Sequence, residues 1–234
     1  MKKYVNLFVF VFMVGACFSQ GKAQTKSAVS YKNPVVDIAM PDPTVIKAAD
    51  GYFYVYATES TRNVPIMKSK DLVQWTYCNT AFTNKTRPRF EPKAGIWAPD
   101  INYINNKYVL YYAMSVWGGE QTCGIGVATA DSPQGPFTDH GKMFRSNEIG
   151  VQNSIDPSFL QYEGRNYLVW GSFRGIYVIE LTEDGLSLKP GAEKKRIAGT
   201  AFEAAYIHKH GDYYYMFASI GSCCEGIRST YKVV

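Results

Sequence analysis

Four times along the chain, a turn built from Asp, Asn, Gly or Glu opens into a short tyrosine-rich run of strand-forming residues. These are D-G-Y-F-Y-V-Y-A from Asp50, N-N-K-Y-V-L-Y-Y-A from Asn105, E-G-R-N-Y-L-V-W-G-S from Glu163 and H-G-D-Y-Y-Y-M-F-A-S from His210. A turn signal followed by β-branched and aromatic residues is the pattern of the second strand of a β-hairpin. Alignment on Tyr54, Tyr108, Tyr167 and Tyr214 gives spacings of 54, 59 and 47 residues. In all-β sequence, a unit recurring at such periods predicts a propeller in which each four-stranded blade repeats one supersecondary unit around an axis. Turn-rich segments at 69–75, 130–137 and 182–188 fall where outer strands begin or close. The stretch 78–94, with Pro88, Pro92 and four basic residues, reads as the loop joining the first two blades. No segment beyond the N-terminal region carries the 3.6-residue periodicity of a three-turn amphipathic helix.

Ahead of each hairpin, by five to eight residues, stands an acid: Asp42 in M-P-D-P-T-V, Asp100 in W-A-P-D-I, Asp156 in S-I-D-P-S-F and Glu203 in A-F-E-A-A-Y-I. A single such carboxylate, above all one before proline, commonly caps backbone N–H groups. Four at one place in a repeat are a different matter, because they would start the innermost strands and gather at the axis. Like charges repel and are rarely collected without a task. A ring of carboxylates at the mouth of a funnel predicts acid–base chemistry.

The segments D-P-T-V, W-A-P-D-I, I-D-P-S-F and F-E-A-A-Y-I resemble, in order, the signature segments of glycoside hydrolase family 43, over Asn33 to the C-terminus. Within that family, N-S-I-D-P from Asn153 and G-S-C-C-E-G-I-R-S-T-Y-K from Gly221 are most similar to the endo-acting arabinanases. The resemblance implies a five-bladed β-propeller and hydrolysis of glycosidic bonds with inversion. With four blade starts, residues 33–234 are then expected to be an incomplete catalytic propeller. Residue by residue, it implies Asp42 as general base, Glu203 as general acid and Asp156 as the third carboxylate that tunes and orients the acid. Inversion calls for base and acid about 6.5–9.5 Å apart, leaving room for water. Asp100 receives no part in proton transfer and is expected to shape the structure or a subsite. For sugar binding, the resemblance points to Gly118, Asn153, Ser154, Ser172, Phe173 and Arg174, although family arabinanases tend to carry an aromatic where Arg174 stands. Trp97 offers a flat face to a sugar, with a place in the core as the open alternative.

The implied substrate is α-1,5-linked arabinan, as polysaccharide or oligosaccharide. The alternatives are a β-xylosidase or α-L-arabinofuranosidase of the same family, and a non-catalytic carbohydrate-binding propeller. No cofactor is required by the chemistry. A structural Ca²⁺ at the axis is a family feature, supported there by a histidine of the last blade; His140, His208 and His210 fall in no metal-ligand spacing, so no metal ligand is assigned.

The first residues change where this chemistry would operate. Lys2 and Lys3 precede a mostly apolar run from Val5 to Ala16, the pattern of an export signal spanning residues 1–24. Val14-Gly15-Ala16-Cys17 also resembles a lipoprotein box, which would lipidate Cys17 and give the only membrane contact expected. Periplasmic, cell-surface and secreted locations all follow from export. Loss of Lys2, Lys3 and Lys22 takes the formal charge from +5 to +2, leaving no electrostatic case for nucleic acid. About 210 residues then remain, one domain's worth, expected to act as a monomer. The 15% aromatic content, with 18 Tyr, suits both sheets and a sugar-facing surface. Cys78, Cys123, Cys223 and Cys224 match no zinc pattern and no dense disulfide framework.

Overall fold

The computed structural model describes residues 30–222 and 230–233. Its four antiparallel sheets follow one another along the chain, and each is a meander. The first contains β1 (Thr44–Lys47), β2 (Phe53–Tyr56), β3 (Pro65–Ser69) and β4 (Thr76–Thr80); the second contains β5 (Gly95–Ile104), β6 (Lys107–Ser115), β7 (Gly124–Ala130) and β8 (Thr138–Arg145). A four-residue helix, α1 (Ser146–Ile149), leads to the third sheet of β9 (Ser158–Tyr162), β10 (Arg165–Trp170), β11 (Ile176–Glu180) and β12 (Lys195–Ala198). The fourth holds β13 (Phe202–His210), β14 (Tyr213–Ile220) and β15 (Thr230–Val233). The first strands β1, β5, β9 and β13 touch in succession, as propeller blades do around an axis.

The hairpins form where the sequence predicts them, for local reasons. Asn105-Asn106 and Glu163-Gly164 have positive φ at both central positions, the backbone whose twist matches the flanking strands. In the first blade the longer turn is held by Asp50, which accepts from the Tyr52 N–H at 3.0 Å and the Tyr54 hydroxyl at 2.7 Å. Two details of the sequence reading shift. Cys78–Thr80 complete β4, so the loop between blades covers only 81–94. In the third hairpin it is Asn166, not Tyr167, that occupies the place of Tyr108 and Tyr214, each being the second residue after its turn.

The core lies between the sheets and follows the period-two rule for strands. Along β6, Leu110 and Tyr112 enter the cluster shared with the first blade, while Val109 and Tyr111 enter the cluster shared with the third. Val169 and Ile176 meet Ala205 and Ala218 between the third and fourth sheets. Large buried rings keep their polar ends bonded: the Tyr111 hydroxyl donates to Gly185 O at 2.8 Å and Trp170 Nε1 donates to Ser154 Oγ at 3.1 Å. The other face of the fourth sheet exposes Tyr206, Tyr213, Tyr215 and Phe217. Among the described residues Cys78 and Cys123 are free thiols, and no helix is long and apolar enough to cross a membrane. The expected signal segment 1–24 with Cys17, and the Cys223-Cys224 pair, lie outside the described residues.

Candidate active site

Each blade enters its innermost strand through one residue in the left-handed region, at φ values of 49° for Asp42, 40° for Ala98, 58° for Asp156 and 52° for Ala204. Two residues on, Thr44, Asp100, Ser158 and Tyr206 pair with Tyr56, Tyr111, Val169 and Phe217 of the second strands. Such backbone is costly for residues with a side chain and tends to gather at functional sites. The repeat in the fold is therefore this kink, and the four acids are not in register with it. Asp42 and Asp156 occupy it, Asp100 lies two residues beyond it, and Glu203 stands one residue before it. Irregular pairing between Trp97 and Asp100 in β5, and between Glu203 and Tyr206 in β13, produces the offset.

The offset sorts the acids. Asp42, Asp156 and Glu203 come within electrostatic reach of one another, whereas Asp100 turns inward. Asp100 is buried, and its carboxylate accepts from the Phe159 N–H at 2.7 Å, Asn102 Nδ2 at 2.7 Å and Thr44 Oγ1 at 3.4 Å. It ties the inner strands of three blades together. Burial pushes its carboxyl up to about 6 from the usual 3.8, against these hydrogen bonds. Because the folded state holds this proton more tightly, the stability that Asp100 contributes is full below pH 3.8 and is lost as pH rises through about 6. The difference in unfolding free energy between the wild type and Asp100→Asn should therefore drift against the wild type by roughly 2–3 kcal/mol between pH 4 and pH 7. Denaturant titrations at both pH values measure this, and a difference that is flat with pH would contradict the assignment.

Asp42 is exposed and accepts the Thr58 hydroxyl at 2.5 Å. The same Thr58 oxygen accepts the Ala98 N–H at 2.7 Å, and the Thr58 N–H donates to Pro41 O at 2.9 Å, so the kinks of blades one and two are pinned together. Glu203 is half-buried and accepts Ser172 Oγ at 3.1 Å. Ser172 is buried and is itself held by Asn153 Nδ2, which donates to its carbonyl at 3.0 Å. Asp156 accepts the backbone N–H of Ala204, the residue after Glu203.

Burial raises the Glu203 carboxyl above the usual carboxylate range; the Ser172 bond opposes this and the charge of Asp42 adds to it. Asp156 rises well above its ordinary value, first through burial and then through the charges of Glu203 and Asp42, with the Ala204 bond opposing. The third carboxylate is thus not simply an ionised neighbour that tunes the acid. The charges of Glu203 and Asp42 both act on Asp156, so its proton affinity is set by the cluster and not by the residue alone. A half-buried acid with raised proton affinity beside an exposed, hydrogen-bonded carboxylate is the arrangement that proton donor and base require.

Around this cluster the other sequence-predicted residues divide. Trp97 is partly exposed and packs on Ala113, Cys123 and Ile155, the last adjoining Asp156. Gly118 lies exposed in the loop after β6 at φ 79°, a conformation that favours glycine. Asn153 and Phe173 are half-buried, both at positive φ. Ser154 does not meet the expectation of a sugar contact: it is fully buried, its hydroxyl donating to Val151 O at 2.8 Å while accepting Trp170 Nε1. Asp100, also buried, takes the structural one of the two parts expected of it and does not face a subsite. The Arg174 guanidinium is engaged with Glu120. Sequence reasoning passed over Trp117, which is 80% exposed with its ring centroid 5.8 Å from that of Trp97, nearly edge-on at 73°. A large aromatic directly before Gly118-Gly119, after a run of buried strand, was the available signal. It also missed Thr58, a threonine with no local pattern to mark it. Among the described residues no group of three or more His, Cys, Asp or Glu side chains is arranged to hold a metal ion.

Comparison with known proteins identifies the chain's relatives. The family profile of glycosyl hydrolases family 43 matches residues 31–234. The chain is 36% identical over 206 residues to the extracellular endo-alpha-(1->5)-L-arabinanase 1 of Bacillus subtilis (strain 168), covering 82% of this chain and 62% of that protein. Among solved structures, the alpha-L-arabinanase of Cellvibrio cellulosa complexed with arabinohexaose superposes with a TM-score of 0.73 at 29% identity, over 84% of this chain and 70% of that one. An exo-1,5-alpha-L-arabinanase from a bovine ruminal metagenomic library gives 0.72 at 31% identity, over 87% and 72%. The chain spans less than two thirds of the length of the Bacillus relative.

Proposed function

The chain belongs to glycosyl hydrolases family 43, and from that premise we propose that it is an exported, inverting hydrolase of α-1,5-linked arabinan. In this reading Glu203 protonates the leaving oxygen, Asp42 activates water, and Asp156 orients the acid and shares its proton. The observation that carries it is the convergence of these three carboxylates, from three different blades, with burial raising Glu203 while Asp42 stays exposed. Arabinan as substrate is supported by the Bacillus and Cellvibrio relatives. Trp97 and Trp117 offer ring faces for furanose units. In this reading Gly118, Asn153, Ser172, Phe173 and Arg174 contribute to binding the sugar.

Endo action is the preferred mode, on the strength of the Bacillus relative and the arabinanase-like segments. The family's chemistry needs no cofactor, and a Ca²⁺ at the axis would serve the structure and not the proton transfers. Export by the N-terminal signal fits the extracellular Bacillus relative. Membrane attachment would arise only if the signal is cleaved ahead of Cys17 and that residue is lipidated; the chain acts as a monomer, and the glycan is its partner.

The test is reducing-sugar release from debranched linear arabinan by the purified chain and by Asp42→Asn. Short oligosaccharides from the wild type, and release slower by about 10³-fold or more from the variant, are expected. No release by a folded wild-type chain would remove the hydrolase reading; equal release by the variant would remove Asp42 as base.

A further inference from the structure

Glu120 stands in the loop between β6 and β7, three residues past the exposed Trp117. Its carboxylate receives a forked bond from Arg174, Nε to Oε2 at 3.0 Å and NH2 to Oε1 at 2.9 Å, and a further bond from Gln152 Nε2 at 2.6 Å. Its backbone carbonyl accepts the Asn153 N–H at 2.7 Å. One residue of the second blade thus holds both segments of the third blade that border the acids, although Gln152 and Arg174 lie 32 and 54 residues away along the chain.

The hold continues inward. Arg174 NH1 donates to Phe173 O at 2.9 Å, and the Phe173 N–H donates to Phe202 O at 2.9 Å, beside Glu203. Ser172, the neighbour of Phe173, has its carbonyl on Asn153 Nδ2 and its hydroxyl on Glu203. Arg174 and Glu120 are 42% and 32% exposed, and ion pairs so open to water add little to global stability. What a forked guanidinium–carboxylate pair supplies at such a place is fixed geometry.

We propose that Glu120, acting through Arg174, is a positioning residue that holds the Ser172 hydroxyl against the Glu203 carboxylate. The proposal rests on the reading of Glu203 as proton donor. Of the acids near Glu203, Asp42 adds to burial in disfavouring its ionised form, while Asp156 is itself raised well above its ordinary value. The Ser172 bond works the other way, so slackening it leaves those influences unopposed and Glu203 should take up its proton at higher pH.

The experiment compares Glu120→Gln, Arg174→Met, Arg174→Lys and the Glu120→Gln/Arg174→Met double variant. It reads turnover of linear arabinan together with the titration of Glu203 by ¹³C NMR of glutamate-labelled protein, assigned with Glu203→Gln. Each single variant is expected to lower kcat about tenfold, the worth of one well-placed hydrogen bond, with KM within about twofold, and to raise the Glu203 midpoint. The double variant should be no worse than the poorer single one, because one pair is being broken. Arg174→Lys keeps the charge but not the fork, and should behave as Arg174→Met does. Thermal midpoints should stay within about 5 °C of the wild type. A Glu203 midpoint unchanged in Glu120→Gln and both Arg174 variants, or kcat losses that multiply in the double variant, would overturn the proposal. Should the wild type release no sugar, the hydrolase reading fails while the NMR midpoint still decides: a raised value supports the positioning role and an unchanged one ends it.

Discussion

Replacing Glu203 with Gln is expected to slow hydrolysis of linear arabinan by about 10²–10⁴-fold, the usual contribution of a positioned general acid. Gln is close to Glu in size, keeps an oxygen that can accept the Ser172 hydroxyl, and removes a charge that repels Asp42 and Asp156. The fold and sugar binding should therefore survive, and the loss should appear in kcat rather than KM. Aryl arabinosides with acidic leaving groups depart with little help from a proton and should retain most of their rate. Steady-state kinetics on polymer and aryl substrate, with calorimetric titration of an arabino-oligosaccharide, separate these effects. Polymer turnover within a few-fold of the wild type would exclude Glu203 as the acid. The pH profile adds an independent check. Since burial raises Glu203, the wild type should stay active above the pH at which an ordinary glutamic acid has lost its proton.

The largest loss of stability is expected from Glu59→Ala, on the order of 3–5 kcal/mol. Glu59 accepts from both terminal guanidinium nitrogens of Arg87, from the Asn63 N–H at 2.7 Å and from the Ile96 N–H at 2.9 Å. The Glu59 and Arg87 side chains are only 9% and 6% exposed. Arg87 further donates to Asn63 Oδ1 at 3.2 Å and Ala94 O at 2.8 Å. Truncating Glu59 strands a buried cation, so the penalty is that of an unpaired charge and exceeds what the pair adds to folding. Desolvation alone would raise the Glu59 carboxyl, but the bonds from Arg87, Asn63 and Ile96 outweigh it and hold it below 4.5. Its stabilising contribution is accordingly present above pH 4.5 and is lost as pH falls through the lowered folded-state value. Urea unfolding at pH 7 and at acid pH tests both points, and a loss under 1 kcal/mol at pH 7 would show that Arg87 finds another partner. The loss should reach the site as well, because Thr58, which carries Asp42, is the adjoining residue.

The blades were legible because what makes a hairpin is local. Asp50-Gly51, Asn105-Asn106 and Glu163-Gly164 supply turn backbone, and Tyr54, Leu110, Leu168 and Ala218 lie on strands whose alternation selects a face. The acids were legible as a set for the same reason, since each sits a short, countable distance before its hairpin. Their register was not. A bulge between Trp97 and Asp100 shifts every later side chain, and no local composition announces it. Asp100 consequently looked like a member of the ring and proved to be a buried tie. Ser154 looked like a sugar ligand from its place beside Asp156, yet Trp170 claims its oxygen from 16 residues away.

By itself, the order of turns, tyrosines and acids determined a sheet-built repeat, the approximate number of blades and four candidate carboxylates, of which the family resemblance singled out the three on which the chemistry is proposed to rest. Tertiary structure alone decided which carboxylates meet, which of them burial raises, and what holds each in place. Ser172 reaches Glu203 across 31 residues, Ala98 reaches Thr58 across 40, and Arg174 reaches Glu120 across 54. Hairpin formation depends on the φ and ψ preferences of neighbouring residues, which are written along the chain. Proton affinity and orientation depend on desolvation and on partners from other blades, which exist only once the blades have packed.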